Sequence, residues 1–298
     1  MFEKMIRSNS AKMEQQLEDW LDKYSAEHPF PPDVRMQADI DYAGDGAPRH
    51  RMDLYLPAEA RAGCKLPVLF NIHGGGFLLG KKEANRLFCA DMCRRGFIVF
   101  CAEYPLVPDV DIFEVFRSLT LAVNAASGMA ERFGGDMSRF YLCGDSAGAY
   151  LCVYLAAMRR NTAMAAVAGA SPIKADVKAL GLISGMFYTT KLDNIGIFLP
   201  GFVYGKGWRK GAFRPYTNPE YPGITNSLPP SFLVTAKGDY LRHYSRNYAR
   251  ALKKSGTECI LLDFDGEPLP HAFAAMNPDC AESQEAIGKM ADFLLAHS

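Results

Sequence analysis

The sequence has no excess of charge of either sign, since Lys plus Arg and Asp plus Glu both number 33 in 298 residues. A chain without net positive charge has no long-range attraction for nucleic acid or for an anionic membrane. No apolar run approaches the length of a membrane span, and the charged N-terminus lacks the apolar segment of a signal peptide. We therefore expect a cytoplasmic protein that binds a small molecule, with no nucleic acid and no membrane as partner.

The patterns of metal and cofactor sites are also missing. The eight cysteines lie mostly in apolar runs, and the close pair Cys89 and Cys93 has no second pair or nearby histidines to complete a zinc site. The glycine-rich stretch HGGGF, residues 73–77, is not GxGxxG and has no lysine at P-loop spacing. The sequence therefore predicts reduced thiols, no metal and no cofactor.

The chain does contain 49% hydrophobic residues, which is enough for one large core. Apolar residues three or four positions apart predict an amphipathic N-terminal helix, at Phe2, Met5, Ile6, Met13, Leu17, Trp20 and Leu21. Residues 37–44 and 50–57 alternate apolar and polar side chains on either side of a Gly- and Pro-containing turn. This alternation predicts an antiparallel pair of strands.

From residue 66 onward, short apolar runs alternate with helical patterns. The runs predict strands covered on both faces, at residues 66–72, 96–102, 139–144, 179–184, 231–236 and 259–264. The helical patterns lie at residues 83–95, 113–133, 146–160, 244–254 and 282–296. The alternation predicts an α/β fold with a mostly parallel central sheet flanked by helices, and an active site beyond the carboxyl ends of its strands.

Two glycine-rich turns follow predicted strands. In GDSAG, residues 144–148, Ser146 lies between a strand and a helix, as a nucleophile elbow requires. The alternative is an ordinary turn in which Ser146 caps the helix. In HGGGF, consecutive glycines leave backbone N–H groups free to stabilise an oxyanion, together with the N–H of Ala147. Four specified residues in a row arise by chance in few chains, so HGGGF is the more specific of the two motifs.

A serine nucleophile needs a histidine that accepts its proton, and in this class of fold the histidine comes last along the chain. Of the three histidines after Ser146, His243 falls at the start of a predicted helix and His297 is the penultimate residue. His271 follows the last predicted strand, at the carboxyl edge of the sheet. His271 is therefore the predicted base.

The histidine in turn needs a carboxylate that orients it. Asp239 directly follows a predicted strand and precedes His271 in the chain, so it is the predicted acid. Its alternative role is that of a helix cap. Weaker candidates lie in or near the last strand and the histidine loop: Asp263, Asp265 and Glu267.

The motifs HGGGF, GDSAG, PPSFLVTAKGDYLR and HAF resemble those of the hormone-sensitive-lipase-like branch of the α/β-hydrolase carboxylesterases, in the same order. The resemblance runs from about residue 39 to the C-terminus. It implies Ser146 as nucleophile, Asp239 as acid and His271 as base. It further implies an oxyanion hole formed by the N–H groups of Gly74, Gly75 and Ala147.

The resemblance also implies a domain organisation. Residues 36–298 would form the α/β-hydrolase catalytic domain, and residues 1–35 with an insert at about 186–227 would form a small, mainly helical cap. Two departures from the family stand out. Ala272 follows the base where the family usually has glycine, and YPLVPD, residues 104–109, stands where the family tends to have YRLAPE.

These features predict a serine hydrolase that cleaves small-molecule esters with short acyl chains through an acyl-enzyme intermediate. The candidate pocket residues are Phe77, Tyr104, Tyr150, Phe187 and Tyr188. For the aromatic residues of the cap, packing in the core is the alternative. Two other functions remain open, an amidase or arylformamidase with the same triad and a non-catalytic small-molecule receptor. A homodimer is also left open, and the sequence assigns Asp145 no specific role.

Overall fold

The computed structural model describes the backbone of residues 2–298 and the side chains from Lys12 onward. Its centre is an eight-stranded sheet with the spatial order β1-β2-β4-β3-β5-β6-β7-β8. The strands are Val34–Asp41 (β1), Arg51–Pro57 (β2), Leu66–Ile72 (β3), Ile98–Ala102 (β4), Gly135–Asp145 (β5), Val177–Ile183 (β6), Ser231–Ala236 (β7) and Cys259–Phe264 (β8). The β1–β2 and β2–β4 pairs are antiparallel and the other pairs are parallel, which confirms the predicted mostly parallel sheet.

Helices connect and flank these strands. They are Phe2–Glu27 (α1), Arg86–Arg94 (α2), Ile112–Ala130 (α3), Ala147–Arg160 (α4), Thr162–Ala168 (α5), Asn194–Phe198 (α6), Pro200–Val203 (α7), Pro222–Thr225 (α8), Arg242–Lys254 (α9), Phe273–Met276 (α10) and Ala281–Ala296 (α11). Single 3₁₀ turns lie at Lys82–Asn85, Glu131–Phe133, Trp208–Lys210 and Arg214–Thr217. Within the described residues, no helix combines the length and the apolar character that crossing a membrane requires.

The core lies in two layers, one on each face of the sheet. Side chains of α3, α4 and α9 pack on one face, and those of α2 and α11 pack on the other. Successive strand residues point to opposite faces, so Phe70 joins the first layer and Leu69 the second. Both faces are therefore apolar, which explains why the inner strands are continuous apolar runs in the sequence.

Most elements lie close to their predicted positions. β3, β7 and β8 have the predicted bounds, and α4 begins one residue later than its pattern because Ser146 has a non-helical backbone. The single helical pattern at residues 83–95 divides into the 3₁₀ turn Lys82–Asn85 and α2. The short helices α5 and α10 have no counterpart among the predicted elements.

The described residues of the N-terminal helix are not part of the two core layers, whereas the segment between β6 and β7 joins the first layer through Val203, Tyr204 and Phe213. The predicted apolar face of α1 includes Phe2, Met5 and Ile6, whose side chains fall outside the described residues. Residues 184–230, which we call the insert, contain α6, α7, α8 and two 3₁₀ turns. The Phe213 ring of the insert packs edge-on against Phe113 of α3, with ring centroids 5.1 Å apart. The insert therefore lies along the helical layer that contains α3.

Candidate active site

The turn between β5 and α4 holds Ser146 in a strained backbone conformation, with φ 51° and ψ −115°. A non-glycine residue with positive φ persists only where its surroundings fix it. Here Ser146 N–H donates to Ile183 O at 2.8 Å, and Met186 N–H donates to Ser146 O at 2.9 Å. A side chain at Gly148 is excluded, because its Cβ would lie 1.9 Å from Ile72 O. The end of β6 and the close approach of Gly148 thus fix the turn that presents the Ser146 hydroxyl.

The predicted nucleophile, base and acid form a hydrogen-bonded line. His271 Nε2 lies 2.9 Å from Ser146 Oγ, and His271 Nδ1 lies 2.7 Å from Asp239 Oδ1. The Asp239 carboxylate also accepts hydrogen bonds from Leu241 N–H and from the Thr235 hydroxyl, both at 2.8 Å. The structure therefore brings together three residues that are far apart in the sequence.

The ionisation state of the Asp239 carboxyl determines which nitrogen of His271 carries the proton. Burial by itself raises the pKa of the Asp239 carboxyl, but the hydrogen bond and charge of His271 and the other donors outweigh burial, and the net pKa is lowered. An ionised carboxylate can only accept, so the proton lies on His271 Nδ1. His271 Nε2 is then the acceptor for the Ser146 hydroxyl, which is the geometry needed for proton transfer from serine.

Asp145, which the sequence left without a role, binds the glycine-rich loop. Its Oδ1 accepts hydrogen bonds from Gly74 N–H at 3.0 Å and from Asn85 Nδ2 at 3.1 Å. Burial raises the pKa of the Asp145 carboxyl, and the positive character of His73 and the Asn85 hydrogen bond oppose that rise. Asn85 is 60 residues away in the chain, so no local pattern indicated this contact.

This contact corrects one prediction about the oxyanion hole. Gly74 N–H points at the Asp145 carboxylate and is therefore not available to an oxyanion. For Gly75, Gly76 and Ala147, no described residue accepts a hydrogen bond from the backbone N–H. Gly75 has φ 115°, and a Cβ there would lie 1.9 Å from Leu79 O, so only glycine fits this position. The donors that remain at the site are those of Gly75, Gly76 and Ala147.

His73 supports the loop from behind. Its Nδ1 lies 2.7 Å from Gly74 O, and its ring stacks on the Tyr104 ring with a centroid distance of 4.3 Å. The Tyr104 hydroxyl donates to His73 O at 2.8 Å. Because both side chains are buried, they fix the backbone from which the free N–H groups project.

A cavity of about 380 Å³ opens beside Ser146 and His271. Its apolar lining comes from α1, the two residues after the glycine-rich stretch 73–77, the insert and α10. The side chains are Met13, Leu17, Leu78, Leu79, Met186 and Met276. The volume is within the range of small-molecule sites. Among the described residues, no group of three His, Cys, Asp or Glu side chains is arranged to hold a metal ion.

The aromatic residues predicted to line the pocket do not line it. These five residues are buried away from the cavity: Phe77, Tyr104, Tyr150, Phe187 and Tyr188. Tyr150 stacks on Tyr154 at 4.0 Å, and its hydroxyl is 2.7 Å from the Tyr204 hydroxyl of the insert. Phe187 stacks on Tyr248 at 4.3 Å. Large rings gain most from close packing, so the core takes these five side chains, and the apolar part of the cavity wall is mainly methionine and leucine.

Comparisons with known proteins give several relatives named as esterases and one, from Glycyrrhiza echinata, named 2-hydroxyisoflavanone dehydratase, which is 25% identical over 275 residues and covers 81% of this chain and 80% of the relative. An isoprenylcysteine alpha-carbonyl methylesterase of Arabidopsis thaliana is 28% identical over 233 residues, covering 74% of this chain and 53% of the relative. A carboxylic ester hydrolase, LipN, of Mycobacterium tuberculosis is 27% identical over 271 residues, covering 86% of this chain and 68% of the relative. The chain spans about half the length of the plant methylesterases that it matches.

The fold also matches solved structures. Esterase B from Lactobacillus rhamnosis superposes with a TM-score of 0.90 at 21% identity, covering 99% of this chain and 95% of the other. A family model described as alpha/beta hydrolase fold matches residues 69–275, which include Ser146, Asp239 and His271. The chain therefore belongs to the alpha/beta hydrolase fold family, as its resemblance to the hormone-sensitive-lipase-like carboxylesterases predicted.

Proposed function

We propose that this protein is a serine carboxylesterase in which Ser146 is the nucleophile, His271 the general base and Asp239 the orienting acid. The observation that carries the proposal is the continuous hydrogen-bonded line at the cavity, 2.9 Å from Ser146 to His271 and 2.7 Å from His271 to Asp239. The names of several relatives, among them a methylesterase and a carboxylic ester hydrolase, support an ester as the substrate.

The reaction proceeds in two acyl-transfer steps. His271 accepts the Ser146 proton as the serine oxygen attacks the ester carbonyl, and Asp239 stabilises the resulting imidazolium. The imidazolium then protonates the departing alcohol, which leaves an acyl group on Ser146. In the second step His271 accepts a proton from a water molecule as the water oxygen attacks the acyl carbon. The imidazolium then returns this proton to Ser146 Oγ as the acyl–serine bond breaks and the carboxylic acid departs.

Both steps place negative charge on the former carbonyl oxygen. The backbone N–H groups of Gly75, Gly76 and Ala147 bind this oxyanion, since Gly74 N–H is engaged by Asp145. Donors fixed by the buried residues behind the loop need no rearrangement during the reaction. This requirement accounts for the two hydrogen bonds that hold Gly74, one between its carbonyl oxygen and His73 Nδ1 and one from its N–H to Asp145 Oδ1.

The substrates are small-molecule esters with short acyl chains. A bounded cavity of about 380 Å³ with a mainly apolar wall favours a compact acyl group over a long one. Residues 36–298 form the catalytic domain, and residues 1–35 with the part of the insert at about 186–227 form the cap. Met13, Leu17 and Met186, which border the cavity, support this division.

Hydrolysis of p-nitrophenyl acetate, butyrate and decanoate tests the proposal. Wild type should prefer the two short esters, and Ser146→Ala should lower kcat at least about a thousandfold because the nucleophile is lost. Ser138→Ala, a serine substitution on the exposed surface, is the matched control and should retain full activity. Equal, slow hydrolysis by wild type and Ser146→Ala would refute the esterase function.

Two further measurements separate the alternatives that use the same fold. Turnover of an aryl formamide above that of every ester would indicate an amidase or arylformamidase. Failure of a fluorophosphonate to label Ser146, combined with tight binding of a small ligand in the cavity, would indicate a receptor.

A further inference from the structure

Tyr240 lies against the ring of His271 at the cavity. The two ring centroids are 4.4 Å apart and the ring planes are inclined by 39°. The Tyr240 side chain is 66% exposed although it borders the cavity, so core packing does not account for its position. The contact between the Tyr240 ring and the His271 ring is therefore not a consequence of core packing.

The turn that carries Tyr240 is held by the same oxygen atom that orients His271. Asp239 Oδ1 accepts the hydrogen bond from Leu241 N–H at 2.8 Å and lies 2.7 Å from His271 Nδ1. Asp239 and Leu241 are the residues on either side of Tyr240. The backbone of the turn that carries Tyr240 and the orientation of the imidazole are thus held by one carboxylate.

We propose that Tyr240 is a positioning residue whose ring stabilises the imidazolium that His271 forms when it accepts the Ser146 proton. The face of an aromatic ring attracts a cation within about 6 Å of its centroid, and the imidazole lies inside that distance. The inference rests on the proposed function, in which His271 becomes charged in each step.

Other groups around the imidazole are compatible with this role. The charged and titratable groups that face it are Asp239 at Nδ1, Ser146 at Nε2, the buried carboxyl of Asp145, and Tyr240 itself. Partial burial and the charges of Asp239 and Asp145 raise the pKa of the Tyr240 hydroxyl. The tyrosine is therefore neutral at the pH values at which esterases are assayed, and its ring rather than a phenolate charge acts on His271.

The test is the pH dependence of kcat/KM for p-nitrophenyl butyrate between pH 5 and 9, with Tyr240→Leu and Tyr240→Phe. Removing the ring destabilises the imidazolium both in the free enzyme and in the transition state. Tyr240→Leu should therefore be about two- to fivefold slower than wild type at the plateau, yet equal to wild type on the acidic limb. The midpoint of that limb should move to lower pH by about 0.3 to 0.7 units. Tyr240→Phe keeps the ring and should follow the wild-type profile.

Other outcomes overturn the inference. A loss in Tyr240→Leu that is uniform across the pH range would show a structural role, and an equal loss in Tyr240→Phe would show that the hydroxyl acts instead of the ring. Because Tyr240 is largely exposed, both variants should keep the wild-type melting temperature. Absence of Ser146-dependent hydrolysis in the wild type would instead overturn the proposed function, and this inference with it.

Discussion

Asp145 Oδ1 accepts two hydrogen bonds, one from a backbone N–H of the glycine-rich loop and one from a buried side-chain amide. Its position directly before Ser146 links the nucleophile turn to the loop that carries the proposed oxyanion donors. Gly74 N–H is therefore used to hold the loop, and the N–H groups of Gly75 and Gly76 are the ones left for the proposed oxyanion hole.

Asp145→Ala should weaken both the fold and the reaction. Without the carboxylate, Gly74 N–H and Asn85 Nδ2 lose their acceptor in a buried environment, at a cost of about 1–3 kcal/mol for each unsatisfied group. We expect a lower melting temperature in thermal unfolding and a kcat reduced about tenfold, with KM nearly unchanged, because the oxyanion donors are displaced. Asp145→Asn keeps an acceptor oxygen and should retain most of the thermal stability and most of kcat. Equal losses in the two variants would contradict this account.

The sequence predicted those site residues whose role depends on local geometry. Ser146 lies in a turn that needs flanking glycines, and Asp239 and His271 follow strands at the same edge of the sheet, so motif and position indicated that these three side chains would meet. The Asp145–Asn85 contact joins residues 60 positions apart and has no local pattern. The aromatic residues failed as pocket predictions because composition does not indicate which face of an element borders a cavity.

Among the secondary-structure elements, α1 has two adjacent stripes with different contacts. Met13 and Leu17, one turn apart, border the cavity beside Ser146. Glu14 and Glu18, also one turn apart, form ion pairs with Arg49, at 2.5 Å, and with Lys81. These ion pairs lie beside a polar cavity of about 760 Å³ between α1 and the residues around Arg49 and Lys81. The helix is thus held with its apolar stripe against the cavity beside Ser146.

Leu17→Trp should reduce the space available to the acyl group. The larger side chain occupies part of the apolar wall, so kcat/KM for p-nitrophenyl decanoate and butyrate should fall at least about threefold more than that for acetate. Gln16→Trp introduces the same ring at an exposed position of α1 and is the control. Parallel losses for all three esters would show that α1 does not limit chain length.

The strands and long helices of the two-layer core were predictable, whereas the short helices α5 and α10 and those of the insert were not. The inner strands are buried on both faces, so their apolar runs are continuous and bounded by turns. The helices α6, α7 and α8 have four or five residues each, too few for a periodic pattern. Such short helices depend on tertiary contacts, for example the capping of α6 by Asp193, whose side chain also accepts a hydrogen bond from the Tyr244 hydroxyl.

For the molecule as a whole, two buried carboxylates affect the pH dependence of stability with opposite sign. The pKa of Asp239 is lowered by its hydrogen bonds and by His271 against the effect of burial, so its ionised form favours the folded state. That contribution is present above the unfolded-state pKa of about 4 and is lost as pH falls through the lowered folded-state pKa. Burial raises the pKa of Asp145 in the folded state, so its neutral form favours the folded state. That contribution is present below the unfolded-state pKa of about 4 and is lost as pH rises through the raised folded-state pKa.

Thermal unfolding of Asp239→Asn and Asp145→Asn between pH 3 and 8 tests this opposition. Asp239→Asn should be less stable than wild type at pH 5 to 8. The difference should shrink as pH falls below about 4, where the carboxyl of the unfolded wild type takes up a proton, and further as pH falls through the lowered folded-state pKa of Asp239. Asp145→Asn should gain stability relative to wild type as pH rises, because it removes a buried charge. Melting curves that differ from wild type by a constant amount at every pH would contradict both assignments.

The hydrogen bonds between the insert and α4 bear on how this protein can be redesigned. The buried Tyr150 hydroxyl is satisfied by Tyr204, and the Tyr154 hydroxyl donates to Tyr216 O at 2.5 Å. Grafting the corresponding insert of another alpha/beta hydrolase onto this scaffold would leave two hydroxyls without partners in an apolar layer. A scaffold prepared for such chimaeras should first carry phenylalanine at both positions of α4, since the native insert is matched to its domain by these hydroxyls as well as by shape.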